Sequence, residues 1–362
     1  MATASAPNPQ PKPGARASEP LRTAVVGVGH LGRHHARLLQ QVPGSELVAI
    51  VDTRLEQAAA VAGPLGVPAL ASADELPADV EAVSVAVPTS AHHAVVCALL
   101  ERGLHVLVEK PMAATLDQAR GMAALAAERG LVLQVGHVER FNPALSVARD
   151  LGIKPRFIEA NRLAPFTYRA LDTSVVMDLM IHDIDIVLEL AGSPLARVEA
   201  VGSHVLGRHI DIANARLTFE NGCVANITAS RVSFEPLRRT KVFGDDAFLS
   251  LDFATRRAFV VRMAAGFDKG SLSPEAATRF PPKGSFREFV QQGLMDLREI
   301  DMDETNPLLA ELTAFVSAVR AARGLPVEQP PGALRGVSAE AGLRAMEVAV
   351  RITEAIEGHR WT

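Results

Sequence analysis

Short apolar runs alternate with longer amphipathic stretches from Leu21 to about Val135, which is the βαβ rhythm of a doubly wound parallel sheet. The pattern predicts strands at Ala24–Val28, Leu47–Val51, Val67–Leu70, Ala82–Val87, His105–Val108 and Val132–Val135. Helices are expected between them at Gly32–Gln40, Arg54–Ala62, Ala91–Arg102 and Leu116–Arg129. After Val138 the rhythm changes. Helical stretches at Pro143–Leu151 and Ser174–Leu190 precede six strand-like segments, roughly Arg197–Ser203, Ala213–Phe219, Cys223–Ser230, Arg239–Gly244, Ala247–Asp252 and Arg257–Arg262. Turn pairs such as Asn221-Gly222 and Asp245-Asp246 join some of them, so an α+β unit with a mostly antiparallel open sheet is expected. A long loop rich in Gly, Pro, Ser and charges is expected from Phe267 to Thr305, and two helices, Pro307–Arg323 and Ser338–Gly358, close the chain. The predicted organisation is a disordered tail over 1–21, a dinucleotide-binding Rossmann domain over 22–138, and an α+β substrate-binding and oligomerisation domain over 139–362.

Composition narrows the partners. A chain of 362 residues accommodates about two domains, and 48% hydrophobic with 22% charged residues is ordinary for a globular protein. A net charge of −4 and few aromatics advertise no nucleic-acid surface. No apolar run reaches the ~18 residues of a membrane span, and the Pro-, Ala- and Ser-rich first residues lack the apolar core of a signal peptide. Cys97 and Cys223 are too few for a disulfide framework and fit a reducing cytoplasm. The expected partner is therefore a small molecule.

Candidate chemistry sits at the carboxyl ends of the first six strands, where such sheets bind ligands. Gly27, Gly29 and Gly32 follow the first strand at G-x-G-x-x-G spacing, with His30 and Leu31 in the same turn. The first glycine permits the turn, the second lets a pyrophosphate approach the backbone, and the third lets helix and strand pack closely. Asp52 ends the second strand twenty residues past Gly32, where an acid grips the adenosine ribose hydroxyls. NAD is the expected cofactor, favoured over NADP, although Arg54 stands two residues beyond. Pro88 and Thr89 follow the fourth strand, Glu109 and Lys110 the fifth, and Gly136 and His137 the sixth. Lys110 is a reactive candidate, with a surface salt bridge to Glu109 as its bland alternative.

The stretch Ser174–Leu190 is apolar almost all round, yet Asp178, His182, Asp185 and Glu189 recur along one stripe. Buried ionisable groups are costly unless paired, hydrogen-bonded or facing a cleft. The stripe can serve catalysis, with Asp178 orienting the His182 ring, or it can form a polar seam or a solvent face. A metal is not expected: His182-Asp183 superficially matches phosphohydrolase pairs but lacks the further ligands those need, and the cluster His30, His34 and His35 has one ligand-like spacing but lies inside the dinucleotide turn and its helix. If the two halves close, His182 is the preferred base for a secondary alcohol and Lys110 polarises its oxygen. Lys110 as the base stays open.

The segments AVVGVGHLGRHHARLL, VPTSAHHAVVCALLERGLHVLVEKP and DLMIHDID, in this order, resemble the Gfo/Idh/MocA oxidoreductases over nearly the whole chain after the tail. Carried over residue by residue, the resemblance implies that Lys110, Asp178 and His182 are the catalytic set and that Pro88, Thr89 and His92 line the cofactor cleft beside Glu109. Val87 departs from the threonine of many relatives. GHVERFNPA at Gly136–Ala144 resembles most the members that oxidise the 3-hydroxyl of UDP-N-acetylglucosamine for amino-sugar and lipid A precursor synthesis. Asn142 is then a substrate contact, and Arg140 either a contact or the ion-pair partner of a nearby acid. Arg162, Arg169 or Arg140 would supply cations for a pyrophosphate. The resemblance further implies a homo-oligomer through the C-terminal sheet and coupling to an aminotransferase. Inositol or free-sugar oxidation, and an NAD-sensing regulator without catalysis, are the alternatives.

Overall fold

Strands covered on both faces have no polar side to show, which is why the first six read as continuous apolar runs. The computed structural model of the protein describes residues 19–167, 173–264, 295–301, 305–327 and 335–360. Most of the expected tail, most of the expected loop after Phe267, and Arg169 lie outside them. In the first sheet β1 (Leu21–Val26), β2 (Ser45–Val51), β3 (Ala69–Leu70), β4 (Ala82–Val85), β5 (His105–Glu109) and β6 (Leu133–Gly136) are all parallel. Their order, β3-β2-β1-β4-β5-β6, reverses direction beside β1, so the ligand crevice opens beyond the ends of β1 and β4. Helices α1 (Gly32–Leu39), α2 (Leu55–Leu65), α3 (Thr89–Glu101) and α4 (Leu116–Glu128) cover its faces.

The second sheet has eight strands, two more than the hydrophobic pattern suggests. The added strands are β7 (Phe157–Leu163) and β14 (Met295–Asp301), the latter within the segment read as a loop. β8 (Leu195–Ser203), β9 (Ile212–Phe219), β10 (Val224–Ser230), β11 (Leu237–Phe243), β12 (Ala247–Asp252) and β13 (Arg257–Met263) complete it in the order β14-β13-β12-β11-β7-β10-β9-β8. All neighbours are antiparallel except β7 and β10, which run side by side. β7 was hidden because its buried face holds Arg162 beside Ile158 and Ala160, so no apolar alternation marks it.

Helix α5 (Pro143–Asp150) and α6 (Ile181–Ala191) pack on the inner face of this sheet. The chain then returns to the first sheet. α7 (Pro307–Ala322) lays Leu312, Phe315, Val316 and Val319 against the core of β1, β2 and α1. α8 (Ala339–Gly358) bridges both cores, with Ala339 and Met346 in one and Ala349, Ile352 and Ile356 in the other. That bridge holds the ends of β5 and β6 against the start of α6, where the chemically capable residues collect.

Candidate active site

The turn after β1 is built around its glycines. Gly27 has φ of 84°, and a β-carbon there would meet Val87, so only glycine is accommodated. A β-carbon on Gly32 would collide with the carbonyl oxygen of Gly27, whereas one on Gly29 would meet nothing within 4 Å. Open space at the second glycine alone is what the approach of a pyrophosphate requires. Asp52 ends β2 with its Oδ2 accepting from the Val28 N–H at 3.0 Å and its Oδ1 from the Arg54 N–H at 2.9 Å. The acid thus braces the glycine turn from the end of β2. Arg54 is mostly exposed, with Nε 4.0 Å from that carboxylate. His30 and Leu31 are exposed on the turn, and Pro88 and Thr89 lead into α3. These residues fit a dinucleotide.

His92 departs from the expected lining. Its ring is buried, with Nδ1 2.9 Å from the Pro111 carbonyl and Nε2 3.0 Å from that of Val87, so it ties the end of β4 to the segment after Lys110. Burial holds it below its ordinary 6.5 despite those carbonyls.

Lys110, at the end of β5, reaches across to the segment before α6. Its Nζ donates to the main-chain oxygen of Asp178 at 2.7 Å and to Oδ1 of the same residue at 3.0 Å. Asp178 therefore does not orient His182, as its i, i+4 spacing suggested. The reason is local: Val176–Met180 is a turn of π-helix, which rotates Asp178 away from the α-helical stripe that begins at Ile181. His182 is enclosed with no hydrogen-bond partner for Nδ1, its ring set edge-on to His137 at 6.3 Å. Burial, then the charges of Lys110 and Arg162, hold this imidazole well below 6.5, so it is neutral at neutral pH with a ring nitrogen lone pair free of a proton. Among the described residues no group of three or more His, Cys, Asp or Glu is arranged to hold a metal.

The polar stripe divides in two. Its lower half is a structural seam: Arg140 donates to Asp185 at 2.6 and 2.9 Å and to Glu189 at 2.8 Å, and Arg149 also reaches Glu189. Arg162, next to the site, donates to both oxygens of Asp183 at 2.7 and 3.0 Å and to Glu139 at 3.2 Å, with its side chain 4% exposed. Burial opposes its charge, but Asp183 and Glu139 outweigh that and raise its pKa. Asn142 caps α5, its Oδ1 accepting from the Ala144 N–H. Arg140 thus takes the ion-pair place offered as its alternative, and Arg162 and Asn142, expected to contact substrate, have their side chains engaged within the protein.

Other residues enter the site unannounced. His35 of α1 bonds Ser84 at 2.8 Å and brings Nε2 to 3.0 Å from Glu109. Glu311 of α7 is buried with neither carboxylate oxygen partnered among the described residues, and burial beside Glu109 and Asp185 pushes its pKa well above the usual range. Arg238 of β11 stands opposite Arg162 in register, half exposed, and its charge acts on His182. Glu311 follows Glu109 by about two hundred residues and lies in a helix of ordinary amphipathic pattern, so spacing carried no signal for it.

The arrangement of glycine turn, acid, lysine and buried imidazole has relatives. Residues 21–137 match the family model described as GFO_IDH_MocA, oxidoreductase family, NAD-binding Rossmann fold, and residues 154–250 match the GFO/IDH/MocA C-terminal domain. The chain is 38% identical over 338 residues to UDP-N-acetylglucosamine 3-dehydrogenase of Acidithiobacillus ferrooxidans, spanning 93% of this chain and 97% of that one. The solved structure of that enzyme, GnnA, superposes with a TM-score of 0.77 at 35% identity, covering 93% and 98% of the two chains. A scyllo-inositol 2-dehydrogenase (NAD(+)) of Bacillus subtilis is 28% identical, with 85% and 96% covered. The chain belongs to the Gfo/Idh/MocA family of oxidoreductases and carries that family's NAD-binding Rossmann fold.

Proposed function

We propose that this protein oxidises the 3-hydroxyl of UDP-N-acetylglucosamine to a 3-keto sugar. The observation that carries the reading is the 38% identity to the Acidithiobacillus enzyme over 93% of the chain, together with the Lys110, Asp178 and His182 cluster at the cleft. The turn at Gly27–Gly32, Asp52, Pro88 and Thr89 would hold NAD, whose nicotinamide would serve as the hydride acceptor. The protein's own residues handle the proton. Neutral His182 takes it from the substrate hydroxyl, and Lys110, fixed by Asp178, donates to the same oxygen as negative charge develops there. Placing that oxygen between a fixed donor and a buried base lowers the barrier because neither group must reorganise during reaction.

The same reading puts the protein in the cytoplasm as a homo-oligomer assembled through the second sheet. Its keto product would be consumed by an aminotransferase in amino-sugar synthesis for lipid A. No helix among the described residues is long and apolar enough to cross a membrane. Incubation with UDP-N-acetylglucosamine and NAD, with an aminotransferase as trap, should yield NADH and the 3-amino sugar, and deuterium at sugar C3 should move to the cofactor. Reduction of NAD by myo-inositol or a free hexose but not by the nucleotide sugar would transfer the assignment to the inositol dehydrogenases, which the 28% identical relative represents.

A further inference from the structure

With Arg140 and Arg162 committed to ion pairs, the substrate's diphosphate needs another cation. Among the described residues around the cleft, Lys110 is paired with Asp178, and Arg231 is 8% exposed and paired with Asp211 at 2.7 Å. Arg238 differs from all of these. Its side chain is 55% exposed, and its nearest acid, Glu139 at 3.6 Å, is already bonded to Arg162 at 3.2 Å. Its position is set by register: Arg238 pairs with Arg162 across β11 and β7, on the sheet face that carries α6. A guanidinium so placed is available for bidentate pairing with a phosphate.

The loop leading into β11 adds a second feature. Residues Arg231 to Pro236 cross over the end of β7, where the Ser233 N–H donates to the Ala164 carbonyl at 3.1 Å. Arg231 pins the loop to the segment before the π-turn by donating to the Thr173 carbonyl at 2.9 Å, five residues before Asp178. The loop therefore forms the rim above the catalytic cluster. At its crest Phe234 is fully exposed, and Phe166, on the neighbouring stretch after β7, is 37% exposed. A phenylalanine held wholly in water forgoes the stabilisation that burial would give it, and covering a flat ligand restores it.

We infer that this rim is the nucleotide subsite, with Arg238 holding the diphosphate and Phe234 covering the uracil ring. The inference rests on the proposed nucleotide-sugar substrate and deepens it. A base offers an apolar face to an aromatic ring irrespective of its hydrogen-bonding edge, and the planar fork of a guanidinium matches two phosphate oxygens at once. Myo-inositol has neither group, so the rim separates the two substrate classes that share one catalytic set.

Calorimetric titration with UDP, which lacks the reacting sugar, tests the rim apart from catalysis. Arg238→Gln should weaken UDP binding by about tenfold or more and raise KM for UDP-N-acetylglucosamine correspondingly, with the change carried in KM rather than kcat. Phe234→Ala should weaken UDP by about tenfold but leave inhibition by inorganic pyrophosphate unaltered, and Phe234→Tyr should restore UDP binding. Unchanged UDP affinity in both Arg238→Gln and Phe234→Ala, or no UDP binding by the wild type, overturns the subsite. If Phe234→Ala alters sedimentation while UDP affinity is kept, Phe234 is a protein contact and its role here is lost. A wild type that binds UDP through these residues but does not oxidise UDP-N-acetylglucosamine sustains the subsite and sinks the proposed reaction.

Discussion

Lys110 is held by one residue twice, through the main-chain oxygen of Asp178 at 2.7 Å and through its carboxylate at 3.0 Å. An ammonium has three donors, so this double anchor leaves one for a substrate oxygen and fixes its direction.

The double anchor predicts unequal losses. Lys110→Ala removes the donor itself and should lower kcat by about 10²- to 10⁴-fold. Asp178→Ala leaves the main-chain oxygen in place and should cost only about 10- to 100-fold. Steady-state rates at saturating substrate decide it. If the two variants are equally impaired, the carboxylate takes a direct part in the chemistry and is more than an anchor.

His182 predicts the acid side of the pH profile. Its pKa is depressed by burial and by the neighbouring cations, so the free enzyme keeps the base neutral until the pH falls well below 6.5. A plot of kcat/KM against pH should hold level through pH 6.5 and descend only at more acid values. A descent centred above 6.5 would point to a different base.

The glycine turn predicts two kinds of failure from alanine at two of its positions. Gly29→Ala places a methyl group in open space, so thermal stability should stay within about 0.5 kcal/mol of wild type while NADH affinity falls at least about tenfold. Gly32→Ala drives its β-carbon into the Gly27 carbonyl and should lower the melting temperature as well. Calorimetric binding and thermal melts of both variants separate the effects. Normal NADH binding by a stably folded Gly29→Ala would remove the pyrophosphate from this turn.

Glu311 predicts a stability that depends on pH. Its folded pKa is raised well above the unfolded value by burial and by Glu109 and Asp185. The folded state then binds a proton that the unfolded state releases, so the contribution is present below the unfolded pKa, near 4.3, and is lost as pH rises through the folded value. Glu311→Gln mimics the protonated acid and should lose less stability between pH 6 and pH 9 than wild type in denaturant melts. Parallel pH dependence in the two proteins would mean that Glu311 is charged and partnered in the folded state.

The first sheet and its cofactor turn were legible in the chain because the physics there is local. An apolar run, glycines at fixed offsets and an acid at the next strand end each answer to a requirement within a few residues of themselves. Lys110 and His182 stood out as candidates for a related reason, as a strand end and a mostly apolar stretch offer little structural use for them, and the fold brings them near one another. Partnership was another matter. The i, i+4 spacing joined Asp178 to His182, but a π-turn rotated the acid to Lys110, 68 residues earlier. Arg140 and Arg162 looked like phosphate ligands because a sequence displays a cation without its counter-ion, and only the packing of α6 against β7 and against the turn after β6 supplied Asp183 and Asp185. The pairing of β11 with β7 set Arg238 beside Arg162, and the return of α7 to the first sheet brought Glu311 near Glu109. Residue types and local turns follow from the order of the chain, whereas which charge neutralises which is decided by tertiary contact, because Coulombic pairing depends on distance in space and on the water that burial removes.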